Sequence, residues 1–174
     1  MTKKYKLNKN YYKGLVKFYF NKTLDSIIKI GELDKTQKNI LDFGCGYGML
    51  KKKLNIPNIF NYDIDPQFTE HDDWKNLNFE FFVANQVLYL FSKDELNKLL
   101  DELKYKNPEL KIIVGVSYQN SFSKIIKSIF NYKNAHDFTK LSYKEQIEIF
   151  NKKCVLLDET DNFFLNKILK YKFK

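Results

Sequence analysis

The chain has 174 residues, of which 44% are hydrophobic and 17% aromatic, and this length and composition fit one globular domain with a continuous core. No stretch reaches the roughly 18 consecutive apolar residues that a membrane span needs, and the N-terminus lacks the apolar segment of a secretory signal, so we expect a cytoplasmic protein. The net charge of +9 comes from lysine alone, with no arginine among the 30 basic residues; nucleic acid is therefore an open but not a favoured partner, because arginine makes the bidentate contacts to bases and phosphates.

Apolar side chains recur at intervals of three and four residues over positions 11–31, which predicts one or two helices that end at Gly31. We interpret residues 1–37 as a helical cap and residues 38–174 as a sheet core, the two together forming a single domain. The aromatic side chains of the cap are expected to pack against the sheet.

An apolar strand with a carboxylate near its end leads directly into a glycine-rich turn. The stretch from Ile40 to Met49 contains Asp42 and then glycines at positions 44, 46 and 48, and a helix is predicted from Tyr47 to about Leu54. Glycine allows a sharp turn at a strand end and lets a ligand approach main-chain N–H groups. The helix N-terminus directs its own N–H groups into the same crevice. We therefore predict a site for a nucleotide-like ligand.

A second carboxylate follows at the distance that such a site requires. The glycine spacing differs from the dinucleotide fingerprint Gly-x-Gly-x-x-Gly, so a nicotinamide or flavin ligand is less favoured. A short strand from Asn58 to Asp63 ends in a carboxylate 19 residues after Gly44. In this kind of fold, an acidic residue at that distance accepts hydrogen bonds from a ribose diol. Asp65 and Pro66 then predict the start of a turn or helix.

The cysteines indicate neither a disulfide framework nor a zinc site. Cys45 and Cys154 have no cysteine or histidine at ligand spacing. We interpret Cys45 as a small side chain in a tight loop rather than a nucleophile, and Cys154 as a core residue. A metal site at His71, Asp72 and Asp73 is an alternative, but adjacent side chains lack the separation that metal ligands need.

Three segments in order resemble the motifs of the class I S-adenosylmethionine-dependent methyltransferases. The segments are Asp42-Phe43-Gly44-Cys45-Gly46-Tyr47-Gly48 for the first motif, Tyr62-Asp63-Ile64-Asp65-Pro66 for the second, and residues 79–90 for the fourth strand and its loop. The resemblance extends from about residue 38 to the C-terminus. It implies an α/β fold with a Rossmann-like, doubly wound, mostly parallel sheet, with S-adenosyl-L-methionine as cofactor and S-adenosyl-L-homocysteine as product.

The resemblance also implies a set of cofactor-binding residues at the strand ends. The candidates are Asp42, Gly44, Cys45, Gly46, Gly48, Asp63, Ile64, Asp72, Asp73, Trp74, Asn85 and Gln86. The backbone around the glycines would line the methionyl and ribose portions, and Asp63 would bind the ribose. The main chain of Asn85 and Gln86 would complete the methionine pocket. Asp72 or Asp73 would approach the adenine amino group, and the tryptophan after them would cover the ring.

Two groups of residues outside the strand ends are further candidates. His136 lies beside Asp137, which could orient it, and the resemblance places substrate-contacting residues in this part of the chain. We interpret His136 as a candidate general base, with a loop or helix-capping role as the alternative. Tyr11, Tyr12 and Tyr19 of the helical cap are candidates to close the cofactor pocket, with packing against the sheet as the alternative.

The chain departs from the family pattern after Pro66. Only 12 residues separate Pro66 from Phe79, which is too short for the helix and strand that the family has there. We therefore predict that the second helix and third strand are reduced to a turn or a brief extended piece, and that this edge of the sheet is trimmed.

The remaining elements alternate and then end in a hairpin. They are a helix from the capping box Ser92–Glu95 to about residue 105, a buried strand at 110–116, a helix at 121–131, a helix from the capping box Ser142–Glu145 to about residue 152, and strands at 154–158 and 163–173 with a turn at 160–162. Alternating strands and helices predict a parallel sheet, and the hairpin adds a C-terminal antiparallel edge.

Several functions fit these residues. The loop Ala84-Asn85-Gln86-Val87 lacks the Asp/Asn-Pro-Pro-Tyr/Phe sequence of the enzymes that methylate exocyclic amines of nucleic-acid bases. This favours methyl transfer to an O or N atom of a small molecule or of a lipid- or sugar-linked metabolite. The alternatives are an RNA methyltransferase that uses the lysine surface, a non-catalytic cofactor-binding partner subunit and, least favoured, a nicotinamide-dependent enzyme.

Overall fold

The computed structural model describes residues 14–118, 139–162 and 166–174. In chain order the elements are α1 (Gly14–Gly31), β1 (Ile40–Phe43), α2 (Met49–Leu54), β2 (Ile59–Tyr62), β3 (Phe81–Asn85), α3 (Lys93–Lys106), β4 (Lys111–Ser117), α4 (Tyr143–Lys153), β5 (Cys154–Asn162) and β6 (Asn166–Phe173). Among the residues described, no helix is both long enough and apolar enough to cross a membrane.

Six strands form one sheet in the order β2-β1-β3-β4-β6-β5. Strand β1 pairs in parallel with β2 and β3, and β3 pairs in parallel with β4. Strand β6 is antiparallel to both β4 and β5. The mostly parallel sheet and its antiparallel C-terminal edge confirm the predicted fold class.

Helices cover both faces of the sheet, which explains why the central strands are almost continuously apolar. On one face, α1 and α2 pack against the sheet through side chains such as Ile27 and Leu50. On the other face, α3 and α4 contribute Leu100 and Phe150 to a larger core cluster. Alternation along β1 places Leu41 in the larger cluster and directs the side chain of Asp42 toward the opposite face.

The helix starts that were predicted from capping boxes are confirmed. The Glu95 main-chain N–H donates to Ser92 Oγ at 3.2 Å, and the Ser92 N–H donates to a Glu95 carboxylate oxygen at 2.6 Å. Ser142 and Glu145 exchange the same two bonds at 3.3 and 2.9 Å. Each pair satisfies two N–H groups that a helix start would otherwise leave without partners.

The edge of the sheet after β2 is trimmed, as predicted. Residues 63–80 contain no strand and only one short 3₁₀ turn, Trp74–Asn76, so β2 is the outermost strand. The connecting segment folds back on that edge, because the Glu70 N–H donates to the Asn61 carbonyl at 3.0 Å. The Glu70 carboxylate also accepts a hydrogen bond from the Asn61 amide at 2.9 Å. The segment thus protects one end of an otherwise open strand edge.

The predicted turn at 160–162 is wrong, because these residues belong to β5. Thr160 pairs with Ile168, and Asp161 pairs with Lys167. Polar residues there indicated a turn, but cross-strand ion pairs account for them: Lys167 Nζ lies 2.7 Å from Glu159 and 3.7 Å from Asp161.

One further helix begins later than predicted, and another predicted helix lies in residues that the structure does not describe. The helix after the glycine turn begins at Met49 rather than at residue 47, and α1 is a single helix from Gly14 that ends at Gly31, as predicted. The predicted helix at 121–131 lies outside the described residues.

Candidate ligand site at the carboxyl edge of the sheet

Three parallel strands end beside one another and deliver the candidate residues to one edge. The glycine turn follows β1, Asp63 follows β2, and Gln86 follows β3. Since β1 lies between β2 and β3, the turn lies between the other two groups. The carboxyl edge of an α/β sheet is where such folds bind ligands.

The glycine turn has a conformation that excludes larger residues. Gly44, Gly46 and Gly48 have φ angles of 73°, 50° and 64°, all in the left-handed region. A Cβ atom at Gly44 would lie 2.6 Å from Cγ2 of Val87, in the loop after β3. The missing side chain therefore lets the loops after β1 and β3 pack together.

Three consecutive N–H groups of the turn are already used within the protein. Those of Gly44 and Cys45 donate to the Tyr62 carbonyl at 2.8 and 3.2 Å. The Gly46 N–H donates to Asp63 Oδ2 at 2.9 Å. The N–H groups that the sequence predicts to face a ligand therefore have partners within the protein, and their contact with a ligand stays a prediction.

The Asp63 carboxylate joins the turn to the start of the next segment. Besides Gly46, it accepts a hydrogen bond from the Asp65 N–H at 2.9 Å, through Oδ1. Each carboxylate oxygen can accept a second hydrogen bond, so Asp63 can still bind a diol. The neighbouring Ile64 side chain is 94% exposed, and it presents an apolar surface beside that carboxylate.

Asp42 is a buried carboxyl group with an unusual pKa. Its side chain is 6% exposed. Burial, and then the negative charge of Asp63, raise the pKa of Asp42 to about 7. A cationic ligand group next to Asp42 would oppose both effects and stabilise the ionised carboxylate.

The end of β3 is held by β4 and α1. The Gln86 N–H donates to the Gly115 carbonyl at 2.8 Å, and Gln86 Nε2 donates to Tyr19 Oη at 3.0 Å. Asn85 Oδ1 is buried and has no hydrogen-bond partner in the described structure. The Asn85 amide occupies the space where a side chain on Gly115 would stand. Sequence reasoning missed Gly115, although an isolated glycine in a buried strand signals a close approach.

Cys45 lies in the turn but is not an activated nucleophile. Its Sγ donates a hydrogen bond to the Phe68 carbonyl at 3.4 Å. Burial, reinforced by the charges of Asp42 and Asp63, raises the pKa of the Cys45 thiol well above its usual range. The side chain therefore ties the turn to the segment after β2.

The residues predicted around the adenine have other contacts. Asp73 caps the 3₁₀ turn by accepting a hydrogen bond from the Lys75 N–H at 2.9 Å, and Asp72 is exposed. Trp74 is 5% exposed and packs against Phe43 and Phe79, with ring centroids 6.1 and 6.2 Å away. Core packing accounts for Trp74 and covers its ring with protein.

Three predicted residues are not part of the described structure. His136, Tyr11 and Tyr12 lie outside it. Of the residues predicted to close the pocket or serve as base, Tyr19 is therefore the one with a described contact, its hydrogen bond with Gln86.

Comparisons with known proteins identify the fold. No family model and no curated protein sequence matches this chain. The PH0226 protein from Pyrococcus horikoshii OT3 superposes with a TM-score of 0.69 at 13% identity, over 95% of this chain and 96% of that chain. Magnesium protoporphyrin IX methyltransferase from Synechocystis PCC 6803, solved with bound S-adenosylhomocysteine, superposes with a TM-score of 0.62 at 14% identity, over 98% of this chain and 90% of that chain. The fold is that of the class I methyltransferases.

The class I fold occurs here without close sequence similarity. A third structure, the small RNA methyltransferase HEN1, gives a TM-score of 0.66 at 14% identity, over 89% of this chain and 25% of that chain. Structures with this fold therefore include proteins named for a porphyrin and for RNA. The likeness establishes the class I architecture, and the chemistry of this chain has to be argued from its own residues.

Proposed function

We propose that this protein is an S-adenosylmethionine-dependent methyltransferase that acts on an O or N atom of a small molecule or of a lipid- or sugar-linked metabolite. The proposal rests chiefly on the hydrogen bond that the Gly46 N–H donates to the Asp63 carboxylate at 2.9 Å. This contact supports the proposal because an adenosyl ligand requires a carboxylate for its ribose diol beside the glycine turn. Structural neighbours that hold S-adenosylhomocysteine or S-adenosylmethionine support this cofactor.

Each part of the cofactor has a matching group in the site. Asp63 binds the ribose diol, and the exposed Ile64 covers one face of the adenine. The ionised Asp42 balances the positive charge of the methionine end, either directly or through water. The main chain of Asn85 and Gln86 completes the methionine pocket.

Methyl transfer asks the protein mainly to position its reactants. When bound, S-adenosylmethionine would supply a methyl group on an already activated sulfonium, and the residues of this chain would have to hold the acceptor atom against that methyl group. Holding the two reactants in a near-attack arrangement contributes up to roughly 7–11 kcal/mol. For the acceptor proton we propose His136, on the basis of its sequence position beside Asp137.

The lysine surface supports the RNA alternative less well than its charge suggests. In the densest lysine run, Lys51 pairs with Glu70 at 2.6 Å and Lys53 pairs with Asp25 at 3.0 Å. Lys52 Nζ donates to the Tyr47 carbonyl at 2.7 Å. These ammonium groups have partners within the protein, so the run is not a free phosphate-binding patch. RNA methylation, favoured by the net charge and the likeness to HEN1, remains the second candidate.

The substrate class can be tested with methyl-labelled S-adenosylmethionine. Purified protein is incubated with the labelled cofactor and either the low-molecular-mass fraction of a cell extract or purified total RNA. We expect label in the small-molecule fraction, and at least about 100-fold less transfer by His136→Ala if the imidazole is the base. Label in RNA would favour the second candidate. Cofactor binding without transfer to either pool would favour a non-catalytic partner subunit.

A further inference from the structure

A row of polar side chains on α1 connects the end of β3 to the C-terminal hairpin. Tyr19, Thr23 and Ser26 are spaced by four and three residues, so they lie on one face of the helix. The Asn166 amide donates to Thr23 Oγ1 at 3.1 Å, and Ser26 Oγ donates to Asn162 Oδ1 at 2.7 Å. Since Asn162 and Asn166 pair across β5 and β6, these two bonds fix α1 to the end of the hairpin where β5 leads to β6.

Tyr19 is the member of this row that reaches the ligand site. Its hydroxyl oxygen accepts a hydrogen bond from the Gln86 side-chain amide at 3.0 Å. Thr23 is fully buried and is itself held by Asn166. Burial raises the pKa of Tyr19 to about 12, so the hydroxyl that accepts the Gln86 hydrogen bond stays neutral through the physiological pH range.

Gln86 has a backbone conformation that needs such support. Its φ angle is 54°, in the left-handed region that residues with a side chain rarely adopt. Two hydrogen bonds hold it there, from its N–H to Gly115 and from its side chain to Tyr19. The left-handed residue turns the chain at the end of β3, immediately after Asn85 with its buried Oδ1 that lacks a partner.

We propose that Tyr19 is a positioning residue: it holds Gln86 in the left-handed conformation, so that the Asn85–Gln86 main chain is shaped to bind the amino-acid end of the cofactor. The inference rests on the proposed function. It assigns to α1 a role at one end of the ligand, and it leaves the adenosyl end to Asp63 and the glycine turn.

Two ligands that differ only in the amino-acid end separate this role from a general loss of structure. S-adenosylhomocysteine has that end, whereas 5′-methylthioadenosine lacks it. For Tyr19→Phe, calorimetry should give about a tenfold weaker affinity for S-adenosylhomocysteine, the scale of one hydrogen bond, and less than a twofold change for methylthioadenosine. Tyr105→Phe, at a tyrosine that is 94% exposed, makes the same chemical change as a control and should alter neither affinity.

A second variant breaks the same bond from the other side. Gln86→Ala should show the same split between the two ligands, and adding Tyr19→Phe to it should cause no further loss, because the two side chains act as a pair. Melting temperatures without ligand are measured for every variant. Unchanged affinity for S-adenosylhomocysteine in Tyr19→Phe and Gln86→Ala, or an equal loss for both ligands, would overturn the positioning role. Wild-type protein that binds neither ligand would instead refute the proposed function itself.

Discussion

Replacing Asp42 with asparagine should stabilise the ligand-free protein above neutral pH by up to about 4 kcal/mol, which corresponds to a carboxyl pKa raised from 3.8 to about 7. The folded state keeps a proton on Asp42 up to about pH 7, whereas the unfolded chain releases it near pH 3.8. The stability that this group contributes is therefore complete below pH 3.8 and is lost as the pH rises through 7. Asparagine resembles the protonated form and cannot ionise.

Urea unfolding between pH 4 and pH 8 measures this effect. The gain of Asp42→Asn over the wild type should be largest at pH 8 and should shrink toward pH 4. Asp34→Asn is the matched control, because Asp34 is exposed in the turn after α1 and precedes β1, whereas the site lies after the carboxyl end of β1. If Asp42→Asn does not raise the free energy of unfolding, or raises it equally at pH 4 and pH 8, the pKa of the Asp42 carboxyl is not raised by burial as the structure indicates.

The same replacement should weaken cofactor binding, because it removes the charge that balances the methionine end. A buried carboxylate that lowers stability is expected where a site must receive a cation, and with such a role Asp42 would be an example of stability given up for function. If Asp42→Asn stabilises the protein but leaves the affinity for S-adenosylhomocysteine unchanged, the Asp42 carboxylate lowers stability without contributing to cofactor binding.

Asp63→Asn should weaken binding of S-adenosylhomocysteine by about 100-fold, the scale of two charge-assisted hydrogen bonds. The carboxylate accepts the N–H groups of Gly46 and Asp65, each at 2.9 Å, and would also accept the ribose diol. An amide has one acceptor oxygen and an NH₂ group, which would face an N–H donor of the protein. The replacement therefore disturbs both the turn and the diol contact.

Calorimetry with S-adenosylhomocysteine and with adenosine measures the effect of Asp63→Asn on binding. Both ligands carry the ribose, so Asp63→Asn should weaken both, in contrast to the expected effect at Tyr19. The Asp34→Asn protein again provides the control. Equal affinities for wild type and Asp63→Asn would remove Asp63 from the site, and a loss confined to S-adenosylhomocysteine would place it at the amino-acid end.

Local and length-based signals predicted much of the fold. Capping boxes such as Ser92 with Glu95 depend on four consecutive residues, so the sequence alone identifies the helix start. The trimmed edge after β2 followed from the 12 residues between Pro66 and Phe79. The glycine turn and Asp63 could be predicted at strand ends because, in an α/β fold, ligand-binding residues follow successive strands at a regular distance along the chain.

The features that sequence reasoning missed depend on contacts between distant residues. The polar residues 160–162 indicated a turn because Lys167, the ion-pair partner of Asp161, lies on the other strand of the hairpin. The N–H groups of the glycine turn looked available for a ligand because the Tyr62 carbonyl that accepts two of them belongs to β2. The bond between Tyr19 and Gln86 joins residues 67 positions apart, and no local pattern records it.

Calorimetric titration of the wild-type chain with S-adenosylhomocysteine, and separately with NADH, tests most directly which ligand the site binds. The central claim is that the carboxyl edge of β1, β2 and β3 binds an adenosyl amino acid through Asp63 and an ionised Asp42. We predict saturable binding of one S-adenosylhomocysteine per chain, tighter at pH 8 than at pH 6, and no heat with NADH. No heat with S-adenosylhomocysteine at either pH, or saturable binding of NADH instead, would contradict the account.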